Sequence, residues 1–325
     1  MKNFALIVDK TKVNSYRVID GKAYNFFDVN KPYQFHGSIK NECFMGFWGY
    51  PFLFENGYFL NWAEHEVLPD LDLDLIMVAI ESNYEKYTIS QLRKKYPNAV
   101  IIGTIKETWN WSQHWPKRLE VYNQCDYVFS CIDERYFNNS IPQILQCTVP
   151  VKYIPQPINI EYLYDNFYKE TRSEQIFSYW PYWNQPRCGQ TEQFTNYISQ
   201  KYNIPFIRPK GHDGVTKWLD YLTSWSQCTF HFNLDPIEYF PGQQAMQCAA
   251  LGMIHLGGVN DAHQVLYPET ATIHIPTLEE KFVELLNNND KRIEHITYAW
   301  NKANELYSYN VVKKQIEQVY EEIKK

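Results

Sequence analysis

Short, wholly apolar runs alternate with amphipathic stretches along most of this chain, and that pattern leaves few folds open. Residues 75–80 (LIMVAI) and 100–103 (VIIG) have no polar side chain, as in strands buried on both faces. Between them, 89–96 has helical spacing and stops at Pro97-Asn98. A helix over 117–124 and strands over 127–131 and 151–154 extend the series. The strands at 4–8 and 16–19 are expected to pair as a hairpin through 9–15. A second series follows Pro155-Gln156-Pro157. It has strands at 176–179, 205–208, 229–233, 253–256 and 272–275. Its helices fall at 191–201, 215–225, 243–251 and 278–287, and the tail over 290–322 is strongly helical. Alternation of this kind builds parallel sheets covered by helices. The expected fold class is α/β, with two Rossmann-like domains facing a cleft. Residues 1–157 form the first domain and 158–300 the second. Residues 301–325 form a helix that packs back on the first. In such sheets ligands bind beyond the carboxyl ends of the strands.

The chain has 325 residues, enough for two domains, and a net charge of −6. An acidic protein is a poor general binder of nucleic acid, although one basic groove remains compatible with that charge. The dense basic groups, Arg93-Lys94-Lys95 and Lys117-Arg118, read as solvated helix faces. Seven cysteines without a CxxC pair argue, on spacing, against a zinc site and suit a reducing compartment. The opening MKNFALIVDKTK has an apolar run too short for a signal sequence or a membrane span. The expected location is cytoplasmic, in a bacterial or virus-infected cell. Aromatics reach 17%, which serves core packing or stacking on sugars and bases.

The segment Glu238-Tyr239-Phe240-Pro241-Gly242-Gln243-Gln244-Ala245-Met246-Gln247-Cys248-Ala249-Ala250-Leu251-Gly252 resembles the donor-binding region of GT-B glycosyltransferases. There an acidic, Gly-containing loop leads into a helix ending Glu-Ala-x-Ala-x-Gly, and a short apolar strand follows. Here 247–252 fills that place and 253–256 is the strand. The family's ribose-binding glutamate is replaced by Gln247, and Glu238 lies one residue from its usual place. Cys125-Asp126-Tyr127-Val128-Phe129-Ser130 and the connector 151–159 are similar to other parts of the family.

The resemblance implies a nucleotide-sugar donor (UDP- or GDP-linked) and no obligatory metal or other cofactor. It also implies an Arg/Lys pair on the diphosphate, which here would be Arg187 and Lys210, with His212 beside them. Gly242 lets backbone N–H groups, including that of Gln243, approach the phosphates at a helix start. Donor contacts are thus expected from Arg187, Lys210, His212, Glu238, Gly242, Gln243 and Gln247. The aromatic loop 179–184 offers either a stacking surface or packing.

On the acceptor side, the loop after 100–103 carries Lys106, Glu107, Trp109 and His114. Glu107 is the first candidate base and His114 the second, and His36 is a third acceptor-side candidate. Each of these residue types also occurs as ordinary surface or packing groups, and spacing alone leaves both readings open. Asp70, Asp72 and Asp74 look like an Asp-x-Asp metal motif. They precede their strand, whereas a nucleotide-metal motif follows it.

The acceptor is a glycan, a protein or hydroxymethylated DNA. The stretch 100–137 is similar to phage enzymes that glycosylate modified DNA bases. A non-catalytic carbohydrate- or nucleotide-binding protein and an epimerase are the readings from other classes. A binding protein would release no nucleoside diphosphate, and an epimerase would convert donor without acceptor.

Overall fold

The structure is a computed structural model that describes residues 1–8, 14–33, 46–65, 67–79, 89–105, 111–138, 142–178, 186–208, 218–236 and 242–325. For residues 111–114, 186–188 and 218–219 it describes the backbone only. The chain divides into two compact units. One contains the described residues up to Pro157 together with Tyr309–Lys325, and the other spans Ile158–Ser308.

The first unit is built on β1 (Asn3–Val8), β2 (Tyr16–Ile19), β3 (Lys22–Asn25), β4 (Asn56–Asn61) and β5 (Leu75–Ala79). Helix α1 (Ile89–Lys95), β6 (Val100–Ile105), α2 (Trp111–Tyr122), β7 (Tyr127–Ser130) and β8 (Val151–Tyr153) complete it. Among the described residues these strands form one eight-stranded sheet, in the order β3-β2-β4-β1-β5-β6-β7-β8. The apolar runs behave as their composition requires, since β5 and β6 are buried along their whole length.

The expected hairpin between 4–8 and 16–19 does not form. β1 lies between β4 and β5 and is parallel to both, while β2 pairs antiparallel with β3 and β4. The hairpin is β2–β3, turning at Asp20-Gly21, an Asp-Gly pair suited to a two-residue turn. The Gly-containing aromatic stretch before β4 is a 3₁₀ segment, Gly46–Leu53, whose Phe47, Tyr50 and Leu53 enter the core. Of the three aspartates before β5, Asp74 accepts hydrogen bonds from the backbone N–H groups of Lys2 (2.7 Å) and Asn3 (2.9 Å). Asp70 is ion-paired with Lys95. Asp74 therefore ties down the start of β1, which is a structural task.

The second unit begins with α3 (Ile160–Phe167). It continues through β9 (Ser173–Ser178), α4 (Pro186–Tyr202), β10 (Phe206–Ile207), α5 (Trp218–Ser226), β11 (Cys228–Phe232), α6 (Gln243–Leu251) and β12 (Ile254–Leu256). Helices α7 (Asp261–Leu266), α8 (Ile275–Asn287) and α9 (Asn289–Tyr307) follow. The strands form a parallel sheet in the order β10-β9-β11-β12.

The strand expected at 272–275 is absent. Thr272 Oγ1 accepts a hydrogen bond from His274 N at 3.1 Å, a local turn that competes with sheet pairing. Ile275 then opens α8, with a proline in the first turn where its missing N–H costs nothing. The helical tail expected over 290–322 is two helices. Ser308 is extended (φ −61°, ψ 153°) and separates α9 from α10 (Tyr309–Lys324). Val312, Ile316 and Val319 of α10 belong to the core of the first unit. Their spacing of three and four residues gives that helix one apolar face.

Burial also makes the second unit sensitive to acid. His295, on α9 with its ring 5.4 Å from that of Tyr267, is held down to about 4 by burial. Glu269 opposes that shift and Lys281 adds to it. Glu284, Lys291, Glu294 and Tyr298 line the same depression. An unfolded histidine takes up its proton near pH 6.5. Between pH 6.5 and 4 the unfolded chain therefore binds a proton that the folded chain does not, and stability falls as pH falls. The slope is about 1.4 kcal/mol per pH unit from this group. His295→Gln removes that share. Urea midpoints measured from pH 7 to pH 4.5 should fall less steeply in the variant than in the native protein.

Candidate functional site

The described residues of the donor segment sit where β9, β11 and β12 end at their carboxyl edge. Ser178 closes β9, and its Oγ lies 2.7 Å from Thr195 Oγ1 on α4. One turn earlier on α4, Thr191 Oγ1 accepts from the backbone N–H of Leu234, just beyond β11, at 2.9 Å. Asn233 Nδ2 donates to Gln244 Oε1 at 2.6 Å, joining the end of β11 to the first turn of α6. Asn233 N also donates to Leu256 O, and Gly257 N to Thr270 O. These buried bonds fix the strand ends to the helices that flank them. A frame of this kind holds backbone donors in place with little reorganisation.

Gly242 is the N-cap of α6 and is left-handed (φ 68°, ψ 40°). It makes no side-chain cap, so the cap residue itself offers no acceptor to the first N–H groups of α6. A Cβ at this position would overlap Asn260 Oδ1 and come within 2.9 Å of Ala262 Cβ. Asn260 in turn caps α7, accepting from His263 N at 3.2 Å. Gly242 therefore allows the start of α6 to lie against the start of α7. An uncapped helix start presents N–H groups and the positive end of the helix dipole, which suits phosphate.

Of the donor residues expected from sequence, the structure brings Gly242, Gln243 and Gln247 together on α6. Gln247 is buried, with 4% of its surface exposed, so it is not a group on an outer solvated face. Arg187 lies in the first turn of α4, directly after the loop that follows β9, and only its backbone is described. His114 lies in α2, again with backbone only. Lys210, His212, Glu238, Lys106, Glu107, Trp109 and His36 lie outside the described residues, as does the aromatic loop 179–184.

No family model matches the sequence, and no curated protein sequence matches it. Solved structures do match. HepE of Anabaena in complex with UDP superposes with a TM-score of 0.54 at 9% identity, covering 77% of this chain and 79% of that one. An alpha-glucosyltransferase in complex with UDP and DNA containing an HMU base gives 0.52 at 13% identity, over 76% and 80% of the two chains. This chain has the GT-B fold. The N-terminal domain of trehalose-6-phosphate phosphatase from Candida albicans also matches, at 0.54 and 12% identity over 77% and 70%. A GT-B fold at such identities fixes architecture, while chemistry depends on the residues placed upon it. Among the described residues of this GT-B chain, no helix is long and apolar enough to cross a membrane.

Sequence reasoning missed a group of buried histidines beneath this frame. His231 and His255 are direct register partners on β11 and β12. The ring of His263 stacks on that of His255, with centroids 4.0 Å apart. Burial holds His231 and His255 well below the usual imidazole range, and lowers His263 to about 3. All three are neutral at physiological pH. The available signal was a histidine between apolar residues in each of two strands: Phe230-His231-Phe232 and Ile254-His255-Leu256.

Proposed function

We propose that this protein is a glycosyltransferase that moves a sugar from a nucleotide sugar to a hydroxyl acceptor. The observation that carries this reading is the start of α6. It is a helix N-terminus whose cap residue, a glycine, makes no side-chain cap, at the carboxyl edge of a parallel sheet. Such a site stabilises the nucleoside diphosphate both as part of the donor and as the leaving group. The second role lowers the barrier, because negative charge on the diphosphate grows as the glycosidic bond breaks. Arg187 and Lys210 would supply positive charge, with His212 and Glu238 as neighbouring donor contacts. Gln247 would hold ribose hydroxyls through neutral hydrogen bonds. Glu107, or else His114, would take the acceptor proton, beside Lys106, Trp109 and His36.

The donor is a UDP- or GDP-sugar, and UDP is the ligand in the HepE and alpha-glucosyltransferase structures. A thermal-shift panel of nucleotide sugars tests the reading. A donor at 100-fold its dissociation constant should stabilise the protein by about 2.7 kcal/mol. Arg187→Ala and Lys210→Ala should each weaken donor use by about 1–3 kcal/mol, the scale of a lost charged hydrogen bond. No response to any nucleotide sugar sinks the proposal and favours a binding protein of another class.

A second reading concerns the acceptor. The alpha-glucosyltransferase holds DNA containing an HMU base, which supports a hydroxymethylated base as the acceptor. Incubation with labelled donor and hydroxymethylated DNA, against unmodified DNA as control, decides it. Label transfer only to glycan or protein acceptors removes the DNA reading and leaves the transferase reading intact.

A further inference from the structure

His231, His255 and Cys248 form a cluster of three metal-type ligand atoms within 4.8 Å of one another, the one such group among the described residues. Each comes from a different element: His231 from β11, Cys248 from α6 and His255 from β12. All three are buried, the two histidines and the cysteine alike at 0% exposure. His231 Nδ1 lies 2.7 Å from His255 Nδ1, and Cys248 Sγ lies 3.9 Å from His255 Nδ1.

Two neutral imidazoles facing each other through Nδ1 share one proton, so one Nδ1 donates and the other accepts. Their Nε2 atoms are buried without hydrogen-bond partners. Coordination through Nδ1 leaves both Nε2 atoms without partners; what points to an ion is the convergence of three ligand atoms from three separate elements.

We propose that His231 Nδ1, His255 Nδ1 and Cys248 Sγ bind a monovalent soft cation, Cu⁺. Thiolate and imidazole are the ligands this chemistry selects. Charge decides between Cu⁺ and Zn²⁺. Cu⁺ with one thiolate and two neutral imidazoles is a neutral unit, whereas Zn²⁺ would leave one positive charge in the core. That charge would sit near Arg172, whose guanidinium already acts on Cys248. Burying an unpaired charge is costly.

Coordination number agrees. Zinc takes four ligands in structural sites. Here the next ring, His263, lies flat on His255 at an interplanar angle of 17°, so it presents a face and not a nitrogen edge. Three donors suit a trigonal Cu⁺.

The geometry needs one adjustment. Metal–nitrogen bonds of about 2 Å, set 120° apart, place the two nitrogens about 3.5 Å apart. The imidazoles must therefore part by about 0.8 Å from their present spacing. Cys248 Sγ to His255 Nδ1, at 3.9 Å, is already close to its trigonal value, and all three ligand atoms lie within 4.8 Å of one another. On binding, Cys248 loses its proton to solvent and forms the Cu–S bond. The histidine that carries its proton on Nδ1 shifts it to Nε2, so both rings then give an Nδ1 lone pair and carry a proton on Nε2. No electron is transferred. Because the ligands are wholly enclosed, the ion enters during folding.

The test uses the full chain, refolded without oxygen in the presence of a Cu⁺–chelator complex and then dialysed. About one copper per chain is expected. X-ray absorption of the native protein should show one sulfur and two nitrogen neighbours. Cys248→Ala should fold, judged by circular dichroism and gel filtration, and retain only background copper. Cys228→Ala, which removes another buried thiol of β11, should retain full uptake. The assignment is overturned if native protein takes up no copper, if absorption shows several sulfurs per copper, or if Cys248→Ala takes up as much as native. Preferential uptake of Zn²⁺ over Cu⁺ from a mixture would overturn it as well. The readout is metal content and ligation, so it stands apart from any assay of sugar transfer.

Discussion

Gly242→Val lowers nucleotide-sugar affinity by at least about tenfold, or 1.4 kcal/mol, and costs stability as well. Two separate terms add. A left-handed backbone costs an ordinary L-residue about 1–2 kcal/mol, and a β-branched side chain suffers most. The new Cβ also overlaps Asn260 Oδ1. Either α6 retreats or Asn260 turns away, and the second outcome removes the cap of α7, worth about 1 kcal/mol. Both movements shift the N–H groups proposed to hold the diphosphate. Calorimetric titration with UDP and GDP, beside urea unfolding, separates binding from stability. Adding Asn260→Gly to Gly242→Ala should recover part of the loss, because the steric term disappears while the backbone term persists. Strict additivity of the two changes would show that Asn260 is not the obstacle.

The largest loss of stability is expected at Gly57→Ala, in the other unit. Gly57 lies on β4 and is paired with Phe4 of β1. A Cβ there would fall within the backbone carbonyl of Pro51 and within 3.0 Å of its Cα. No flexible side chain can yield. The 3₁₀ segment that carries Pro51 also carries Phe47, Tyr50 and Leu53 into the core, so relief at Gly57 means repacking there. A destabilisation of about 3 kcal/mol or more follows, in the range reserved for overpacked cores. The contrast is Gly189→Ala. Gly189 lies in α4 with open space where its Cβ would go. Alanine there should stabilise by about 0.5–1 kcal/mol, the difference in helix propensity. Urea denaturation of the two variants should give shifts of opposite sign. Equal shifts would mean that the contact at Pro51 is not what Gly57 serves.

These two glycines show where the sequence is legible and where it is not. Runs such as Leu75–Ala79 announce a strand because the signal is local: every side chain is apolar, and the structure buries every one. Pairing is not local. Nothing within 4–8 says that β1 will accept β4 on one side and β5 on the other, some fifty and seventy residues away. β4 itself, NGYFLN, is short and bracketed by asparagines, so it reads as a turn until its partners are known.

The start of α6 was legible because Gly242 and the small residues after it form a contiguous pattern. The cap that Asn260 presses on Gly242 was not, because it comes from another helix. His231 and His255 meet only through the β11–β12 register. The candidate residues drawn from loops, among them Lys210, Glu107 and His36, lie outside the described residues, and their roles rest on chain order and resemblance.

The placement of α10 affects the order in which the chain becomes structured during synthesis. The described residues of the second unit, Ile158–Ser308, lie in one stretch of chain and can close their core once they have left the ribosome. The first unit cannot. Its core requires Val312, Ile316 and Val319, which are made after the whole of the second unit. The earliest strands therefore wait, with apolar surface open, through the synthesis of some 150 further residues. The part of the protein translated first is thus the part completed last.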